Sequence, residues 1–216
     1  MEQKILDKIN EQRDEFSYEV GVIDLFNGTY KLYASVTKDG FTRRLYEIYD
    51  SEEEALDYFG VCTEISAMAG VAIILSRHLH RGQKDRGGSP YMFHPLRVGF
   101  RFPEETFACV GFLHDVVEDT TMSLKGLKDY FPEIIVDAVD CISRRKSKDF
   151  KESDEDYFKR IKSNQISTFV KIVDLSDNMN AFRLATPFPP SEDARRIQKY
   201  ANQLLDLTVY VEEQNW

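Results

Sequence analysis

The chain has 216 residues, of which 42% are hydrophobic, enough to bury one main core with a small appendage but too few for two full catalytic domains. Its formal net charge of −9 argues against a nucleic-acid polymer as partner, because the phosphate backbone would be repelled over most of the surface. No apolar run reaches the roughly 18 to 20 residues that span a bilayer, and the N-terminus is charged where a signal peptide would be apolar. We therefore expect a cytoplasmic protein without a membrane partner.

The 3 cysteines, Cys62, Cys109 and Cys141, are widely separated and form no CxxC pair. This pattern argues against a disulfide framework and against a zinc-thiolate site. We expect them to be small buried hydrophobic residues.

The sequence pattern of residues 1 to 50 predicts a small N-terminal appendage to the main domain. Ile5 and Ile9 have helical spacing, which predicts a short helix over about the first 15 residues. Residues 17 to 49 are rich in β-forming side chains, and Asn27-Gly28 and Asp39-Gly40 divide them as hairpin turns do. The expectation is a three-stranded antiparallel meander. It would serve packing or oligomerisation, so a homo-oligomer is one interpretation.

From residue 51 onward the pattern is helical. Ser51 and Glu54 form a capping box that predicts the first helix start. The predicted helical segments cover residues 52 to 82, 92 to 101, 104 to 119, 123 to 144, 154 to 183 with interruptions, and 191 to 212. Gly and Pro clusters at residues 87 to 90 and 187 to 190 predict loops. The fold class is therefore mainly α, a helical domain over residues 51 to 216 that carries the N-terminal β-meander.

The positive charge is concentrated in two places. The first run has six basic residues and one acidic residue, Asp85; the basic residues are Arg77, Arg81, Lys84, Arg86, Arg97 and Arg101. The second run has five basic residues: Arg144, Arg145, Lys146, Lys148 and Lys151. Local basic clusters on an acidic protein fit a small polyanionic ligand better than a long polymer. For the second run alone, a solvated helix face is an equally good interpretation.

The strongest chemical signal is the pair His114-Asp115 in GFLHDVVEDT. Adjacent side chains on a helix point about 100° apart, near enough to converge on one ion. Glu118 and Asp119 follow one turn later, so that four polar groups line one side of a buried-looking helix. Such groups are costly in a core unless a cation or a substrate pairs them.

Two further candidates are ambiguous by themselves. His94 precedes Pro95, a typical helix-start residue, and a structural hydrogen-bonding role would suit it equally. Lys171, Asp174 and Asn178 share one helical stripe, and there Asp174 could simply pair with a lysine. Only their occurrence together makes a pattern.

Four motifs occur in order: H-x-x-Q from His80, G-x-P-Y-x-x-H-P around His94, L-H-D-V-V-E-D-T around His114, and V-K-I-x-D-L-x-x-N around Asp174. Together they resemble the hydrolase domain of the RelA/SpoT alarmone enzymes, and especially the stand-alone small alarmone hydrolases. The resemblance covers about residues 64 to 210. It implies an HD-domain helical bundle.

The resemblance also implies a metal centre. His94, His114, Asp115 and Asp174 match the family's ligands of one divalent cation, usually manganese. Two nitrogen and two oxygen donors with positions left for water suit Mn²⁺, and the absence of thiolates disfavours a structural zinc.

The remaining roles follow from the same resemblance. Glu118 and Asp119 match the pair that positions or protonates the attacking water and the leaving phosphate, and His80 is expected to orient the loop after it. The implied substrate-binding residues are Lys84, Arg86, Asn178, Arg160 and Arg144. Asp85 departs from the pattern, since related sequences often carry Arg there.

The implied activity is Mn²⁺-dependent hydrolysis of the 3′-diphosphate of (p)ppGpp to GDP or GTP and pyrophosphate, with a small-molecule nucleotide as partner. Nothing in the chain resembles the family's synthetase domain, so synthesis is not expected. Two alternatives use the same residues. One is an HD phosphohydrolase acting on another nucleotide or phosphorylated cofactor, and the other is a catalytically inactive nucleotide-binding sensor.

Overall fold

The structure is a computed structural model, and it describes residues 4 to 147, 149 to 180 and 191 to 216. The loop predicted at residues 187 to 190, and Lys148 of the second basic run, lie outside the described residues. The loop predicted at residues 87 to 90 is confirmed, since it contains no helix and bends at Gly88, where φ is +85°.

The N-terminal segment is a four-stranded antiparallel sheet in the order β1-β2-β3-β4. Its strands are β1 (Lys4–Arg13), β2 (Phe16–Asp24), β3 (Tyr30–Lys38) and β4 (Phe41–Tyr49). The turns at Gly28 and Gly40 adopt φ of +81° and +77°, the left-handed region that favours glycine. The three predicted strands are confirmed, but the predicted N-terminal helix is wrong because that segment is β1, paired along its length with β2.

Ten helices follow in the described part of the chain. They are α1 (Glu52–Thr63), α2 (Ala67–Leu79), α3 (Phe93–Gly99), α4 (Glu105–Leu113), α5 (Val116–Asp119), α6 (Leu124–Leu127), α7 (Glu133–Ile142), α8 (Asp154–Lys162), α9 (Gln165–Asn178) and α10 (Ser191–Gln214). Ser51 caps α1 as predicted, because its hydroxyl accepts the Glu54 N–H at 3.3 Å. The long predicted segments are divided, and the first breaks at Ser66, which caps α2.

The core joins the sheet to the helices. One face of β2 and β3 packs against α1 and α2. Tyr18, Val20, Leu32 and neighbouring side chains on this face are buried. Every residue of α2 from Ala67 to Ser76 is buried, so this helix is covered on all sides. The predicted class, mainly α with a small β appendage, is confirmed. The division of the chain at residue 50 stays a prediction, and it falls between β4 and α1.

The helix α9 lies at the centre of the second half of the chain. It contacts α3, α4, α7, α8 and α10, which brings the ends of several helices close to one point. Among the described residues, no single helix is long and apolar enough to cross a membrane. The helices α1 and α2 have sufficient length and apolar character only as a pair, and that pair is bent by 116°.

Candidate metal centre

His114 and Asp115 lie in a break between two helices. The helix α4 ends at Leu113 and α5 begins at Val116, whereas the sequence predicted one uninterrupted helix over residues 104 to 119. Asp115 stays in the right-handed region but departs from regular helix values, with φ −101° and ψ −7°. The break therefore turns the Asp115 carboxylate toward the imidazole that precedes it.

The four predicted ligands meet at this break. The His114 Nε2 atom lies 2.9 Å from Asp115 Oδ2 and 3.6 Å from Asp174 Oδ1. The His94 Nε2 atom lies 3.5 Å and 3.0 Å from the same two oxygens. The two Nε2 atoms are 3.2 Å apart. His94 comes from the first turn of α3 and Asp174 from α9, so three separate elements supply the set.

Hydrogen bonds on the far sides of both rings fix where the lone pairs point. The His114 Nδ1 atom is 2.8 Å from the Gly111 carbonyl, which can only accept, so Nδ1 carries the proton. The His94 Nδ1 atom is 2.7 Å from Asp177 Oδ2, and that carboxylate is paired with Arg97. In neutral rings both Nε2 lone pairs then face each other and two carboxylate oxygens. Four atoms with lone pairs that converge in this way repel one another unless a cation lies between them. Two imidazole nitrogens and two carboxylate oxygens are ligands that fit a divalent metal ion.

Neighbouring charges outweigh burial in setting the pKa values of these side chains. Burial alone would lower the pKa of His114, but the neighbouring Asp115 and Asp174 carboxylates raise it well above its ordinary value. Burial alone would raise the pKa of Asp174, but the charge of Lys171, together with the two histidines, holds it well below its usual range. The pKa of Asp115 is also lowered, because the charge of His114 outweighs burial, so both carboxylates are ionised at neutral pH.

Three further side chains hold the carboxylate ligands. The Tyr91 hydroxyl donates to Asp115 Oδ2 at 2.5 Å. The Lys171 ammonium donates to Asp174 Oδ2 at 2.7 Å, and the Asn178 amide donates to Asp174 Oδ1 at 2.6 Å. Asn178, which was predicted to bind substrate, thus contacts the candidate ligand Asp174. Such outer contacts fix the direction of the ligand oxygens.

The predicted catalytic pair lies beside the second basic run. Glu118 Oε2 accepts the backbone N–H of Arg144 at 2.9 Å. The Lys146 ammonium is 3.4 Å from both Glu118 Oε1 and Asp119 Oδ1. Gln83 donates to the Asp119 carbonyl at 2.9 Å and is 2.8 Å from His80 Nδ1. His80 therefore makes the loop-orienting contact that its motif predicts.

Arg160 is placed differently from the expectation. Its guanidinium donates to Glu152 at 2.6 and 2.7 Å and to the backbone carbonyls of Asp140, Cys141 and Ser143. These contacts use all of its nitrogen atoms to join α7, α8 and the segment between them. Because its five N–H donors all meet protein acceptors, these contacts give no support to the prediction that Arg160 binds the nucleotide.

Two cavities flank the metal centre. One cavity, of about 350 Å³, is lined by five basic residues, two acidic residues, two tyrosines, a phenylalanine and a glutamine: Arg144, Lys146, Lys151, Lys171, Lys199, Glu118, Asp154, Tyr157, Tyr200, Phe158 and Gln203. The other, of about 180 Å³, is lined by Lys84, Asp85, Arg86, Tyr91, Asn178, Arg196 and Tyr200. Tyr200 borders both. The predicted residues Arg144, Lys84, Arg86 and Asn178 thus lie in one or the other cavity.

Several cavity residues were missed by the sequence reasoning. Arg196, Lys199 and Tyr200 belong to α10, far along the chain from the four motifs, and no local pattern marks them. Tyr91 stands within the G-x-P-Y-x-x-H-P motif and Lys171 on the stripe of Asp174, so these two carried a signal that was not given a role.

Comparisons with known proteins agree with the geometry. No protein-family model matches the chain. It is 35% identical over 80 residues to a probable guanosine-3′,5′-bis(diphosphate) 3′-pyrophosphohydrolase of Mycoplasma pneumoniae, covering 35% of this chain and 11% of that protein. A probable enzyme of the same name from Synechocystis is 29% identical over 136 residues, covering 59% and 18%. The bifunctional (p)ppGpp synthase/hydrolase SpoT of Escherichia coli K12 is 27% identical over 128 residues, covering 54% and 18%.

These matches show that parts of the chain are similar to curated (p)ppGpp hydrolases and to a (p)ppGpp synthase/hydrolase. The chain spans only 11 to 18% of the length of these three relatives. A solved structure described as a metazoan ortholog of SpoT that hydrolyzes ppGpp has a TM-score of 0.56 and 20% identity, covering 68% of this chain and 93% of that one. At that identity the likeness concerns the fold alone.

Proposed function

We propose that this HD domain is a metal-dependent phosphohydrolase that removes the 3′-diphosphate of (p)ppGpp, giving GDP or GTP and pyrophosphate, with Mn²⁺ as the cation. The observation that carries the proposal is the convergence of His94, His114, Asp115 and Asp174 between two basic cavities. The names of the family relatives give the substrate class.

The charge around the centre suits a polyphosphate. The larger cavity carries five basic side chains against Glu118 and Asp154, although the whole protein has a formal net charge of −9. Lys171 borders this cavity and also contacts Asp174, so the basic surface reaches the metal ligands themselves. We assign the larger cavity to the diphosphate. The smaller one, with Tyr91, Asn178 and Tyr200, then faces the nucleoside.

A divalent cation held by the four ligands lowers the pKa of a water molecule and neutralises phosphate charge. In the hydrolysis a water oxygen bonds to the phosphorus attached to the ribose, the bond from that phosphorus to the 3′ oxygen breaks, and the 3′ oxygen gains a proton. Glu118 and Asp119 are placed to position the water and carry this proton. The Lys146 ammonium lies 3.4 Å from both carboxylates and offsets their negative charge next to the bound anion. Arg144 and Lys171 stabilise the charge on the diphosphate.

The first experiment is to incubate the purified chain with ppGpp in the presence of Mn²⁺ or EDTA and measure pyrophosphate. We expect release with Mn²⁺ and none with EDTA. If no divalent metal supports release, the proposed activity is wrong. A panel of nucleotides phosphorylated at the 2′ or 3′ position then tests the other phosphohydrolase, and tight ppGpp binding without turnover would indicate a sensor.

The second experiment separates the metal ligands from the catalytic pair. Asp115→Ala should abolish Mn²⁺ binding in calorimetry. Glu118→Gln keeps an oxygen to accept the Arg144 N–H, so it should bind Mn²⁺ normally while turnover falls by about 10²- to 10⁴-fold. Glu133→Gln is the matched control, since Glu133 is an exposed residue with a long ion pair to Lys128. Equal loss of Mn²⁺ in the first two variants would contradict the assigned roles.

A further inference from the structure

We propose that Asp177, held by Arg97, is a positioning residue that fixes the tautomer and ring orientation of His94 for metal binding. The inference rests on the proposed metal centre and adds to it two residues that lie on the far side of the His94 ring. Asp177 lies 2.7 Å from the His94 Nδ1 atom, opposite the nitrogen that faces Asp115 and Asp174.

The arrangement repeats the same spacing on two helices. On α3, Arg97 follows His94 by three residues, and on α9, Asp177 follows Asp174 by three residues. Residues three apart lie on the same face of a helix. Each helix therefore presents one metal ligand and one partner to the other helix, and the contact of Arg97 with Asp177 closes the pair.

Arg97 fixes the plane of the Asp177 carboxylate. The Arg97 Nε atom donates to Asp177 Oδ1 at 2.7 Å, and Nη2 donates to Oδ2 at 3.1 Å. Two parallel bonds of this kind set geometry as well as charge. The same Oδ2 atom meets His94 Nδ1, whose ring is only 1% exposed. A carboxylate that is ionised and fixed in this way requires the proton on Nδ1 and leaves the Nε2 lone pair to the metal.

The two histidine ligands differ in how they are held. The His114 Nδ1 atom bonds the backbone carbonyl of Gly111, a contact that no side-chain substitution removes. The orientation of His94 depends on Asp177 and Arg97, so it can be changed while both histidines stay in place. The simpler alternative is that Asp177 and Arg97 only join α3 to α9. In that case their loss would lower stability without a specific effect on the metal.

The test uses Mn²⁺ alone as probe, with binding measured by calorimetry and stability by urea unfolding in EDTA. We expect Asp177→Ala to bind Mn²⁺ about 10- to 100-fold more weakly than the unchanged protein. Asp206→Ala is the control: it removes the same charge from an ion pair with Lys162, which joins α10 to α8, and should bind Mn²⁺ normally. Affinity of Asp177→Ala within twofold of the unchanged protein would overturn the inference.

A second variant separates positioning from packing and remains useful if Asp177→Ala does not fold. In Asp177→Asn a single side-chain oxygen must accept from both the His94 Nδ1–H and the Arg97 guanidinium. The amide NH₂ of the asparagine then faces one of these two donors and repels it. Adding Arg97→Met leaves that oxygen for His94, so the double variant should bind Mn²⁺ several-fold more tightly than Asp177→Asn alone. If the contact only joins the helices, the double variant will bind no better than the single one, and this would overturn the inference.

Failure of the proposed function would look different. If the unchanged protein binds none of Mn²⁺, Co²⁺ and Zn²⁺, the metal centre itself is wrong. If it binds Mn²⁺ and the Asp177 variants bind equally well, only the positioning role is wrong.

Discussion

Replacing Lys171 tests whether the charges at the site are balanced as the structure indicates. The Lys171 ammonium is 16% exposed and lies 2.7 Å from the Asp174 carboxylate, which is 4% exposed. Burial would lower the pKa of Lys171, but the charge of Asp174 raises it, so the pair is ionised. Lys171→Met keeps the unbranched side chain and a high helix propensity while it removes the charge.

Without metal, this variant deprives the buried Asp174 carboxylate of the largest charge that stabilises it, while the two histidines and the Asn178 amide still contact it. Removing one partner of a buried ion pair costs about 3 to 5 kcal/mol in the free energy of unfolding. With Mn²⁺ bound, the cation supplies a counter-charge to the same carboxylate, so the cost is smaller. By thermodynamic linkage, each ~1.4 kcal/mol of difference between the two conditions equals about tenfold tighter Mn²⁺ binding by the variant.

The measurement is urea unfolding of both proteins in EDTA and in saturating Mn²⁺. Lys162→Met is the matched control, because Lys162 pairs with Asp206 at 2.8 Å but that carboxylate is 56% exposed. Exposed pairs contribute about 0 to 1 kcal/mol, with no dependence on Mn²⁺. An equal loss for Lys171→Met in EDTA and in Mn²⁺, or a loss as small as that of the control, would refute this account of the charges.

Three further predictions concern other contacts. Tyr91→Phe removes the donor to Asp115 and should weaken Mn²⁺ binding about tenfold in calorimetry, whereas unchanged affinity would mean that Asp115 is oriented without it. Tyr18→Phe removes the 2.8 Å bond to the Tyr130 carbonyl and should cost about 1 kcal/mol in urea unfolding, and no change would mean that water replaces the donor. The hydrogen bond from Arg160 lowers the pKa of Glu152 in the folded protein. The ionised carboxylate therefore stabilises the fold above its unfolded pKa of about 4.3. This stabilisation is lost as the pH falls through the lower pKa of the folded state. The stability advantage over Glu152→Gln should therefore shrink between about pH 5 and pH 3 in urea midpoints, and a constant advantage would contradict the shift.

The four candidate metal ligands could be proposed from the sequence because each stands in a motif that resembles one of the RelA/SpoT hydrolase domain. His114 and Asp115 are adjacent, and the resemblance to a family supplied His94 and Asp174, which residue patterns alone left ambiguous. What the sequence did not indicate was the break between α4 and α5 at this pair. Nothing in the apolar pattern of residues 104 to 119 marks an interruption, since the same side chains would be buried in a continuous helix.

The N-terminal strand was wrongly predicted for a definable reason. A spacing of four residues places Ile5 and Ile9 on one face of a helix, but it also places them on one face of a strand. An irregularity in the pairing between Ile5 and Asp7 changes the facing, so that Leu6 and Ile9 pack on the core while Ile5 is 48% exposed. Pairing with β2 decided the structure of this segment, and that contact is not visible in a local pattern.

The sheet braces the helix that leads to the site. Arg77, near the end of α2, pairs with the buried Glu47 of β4 at 3.0 Å and donates to the Tyr49 hydroxyl at 2.9 Å. Three residues later, His80 contacts Gln83, which donates to the carbonyl of Asp119. Polar contacts therefore join the last strand to Arg77 and the proposed catalytic pair to His80, and the end of α2 connects these two residues. Because α2 is buried on every side between these ends, the sheet forms part of the support of the metal centre as well as part of the core.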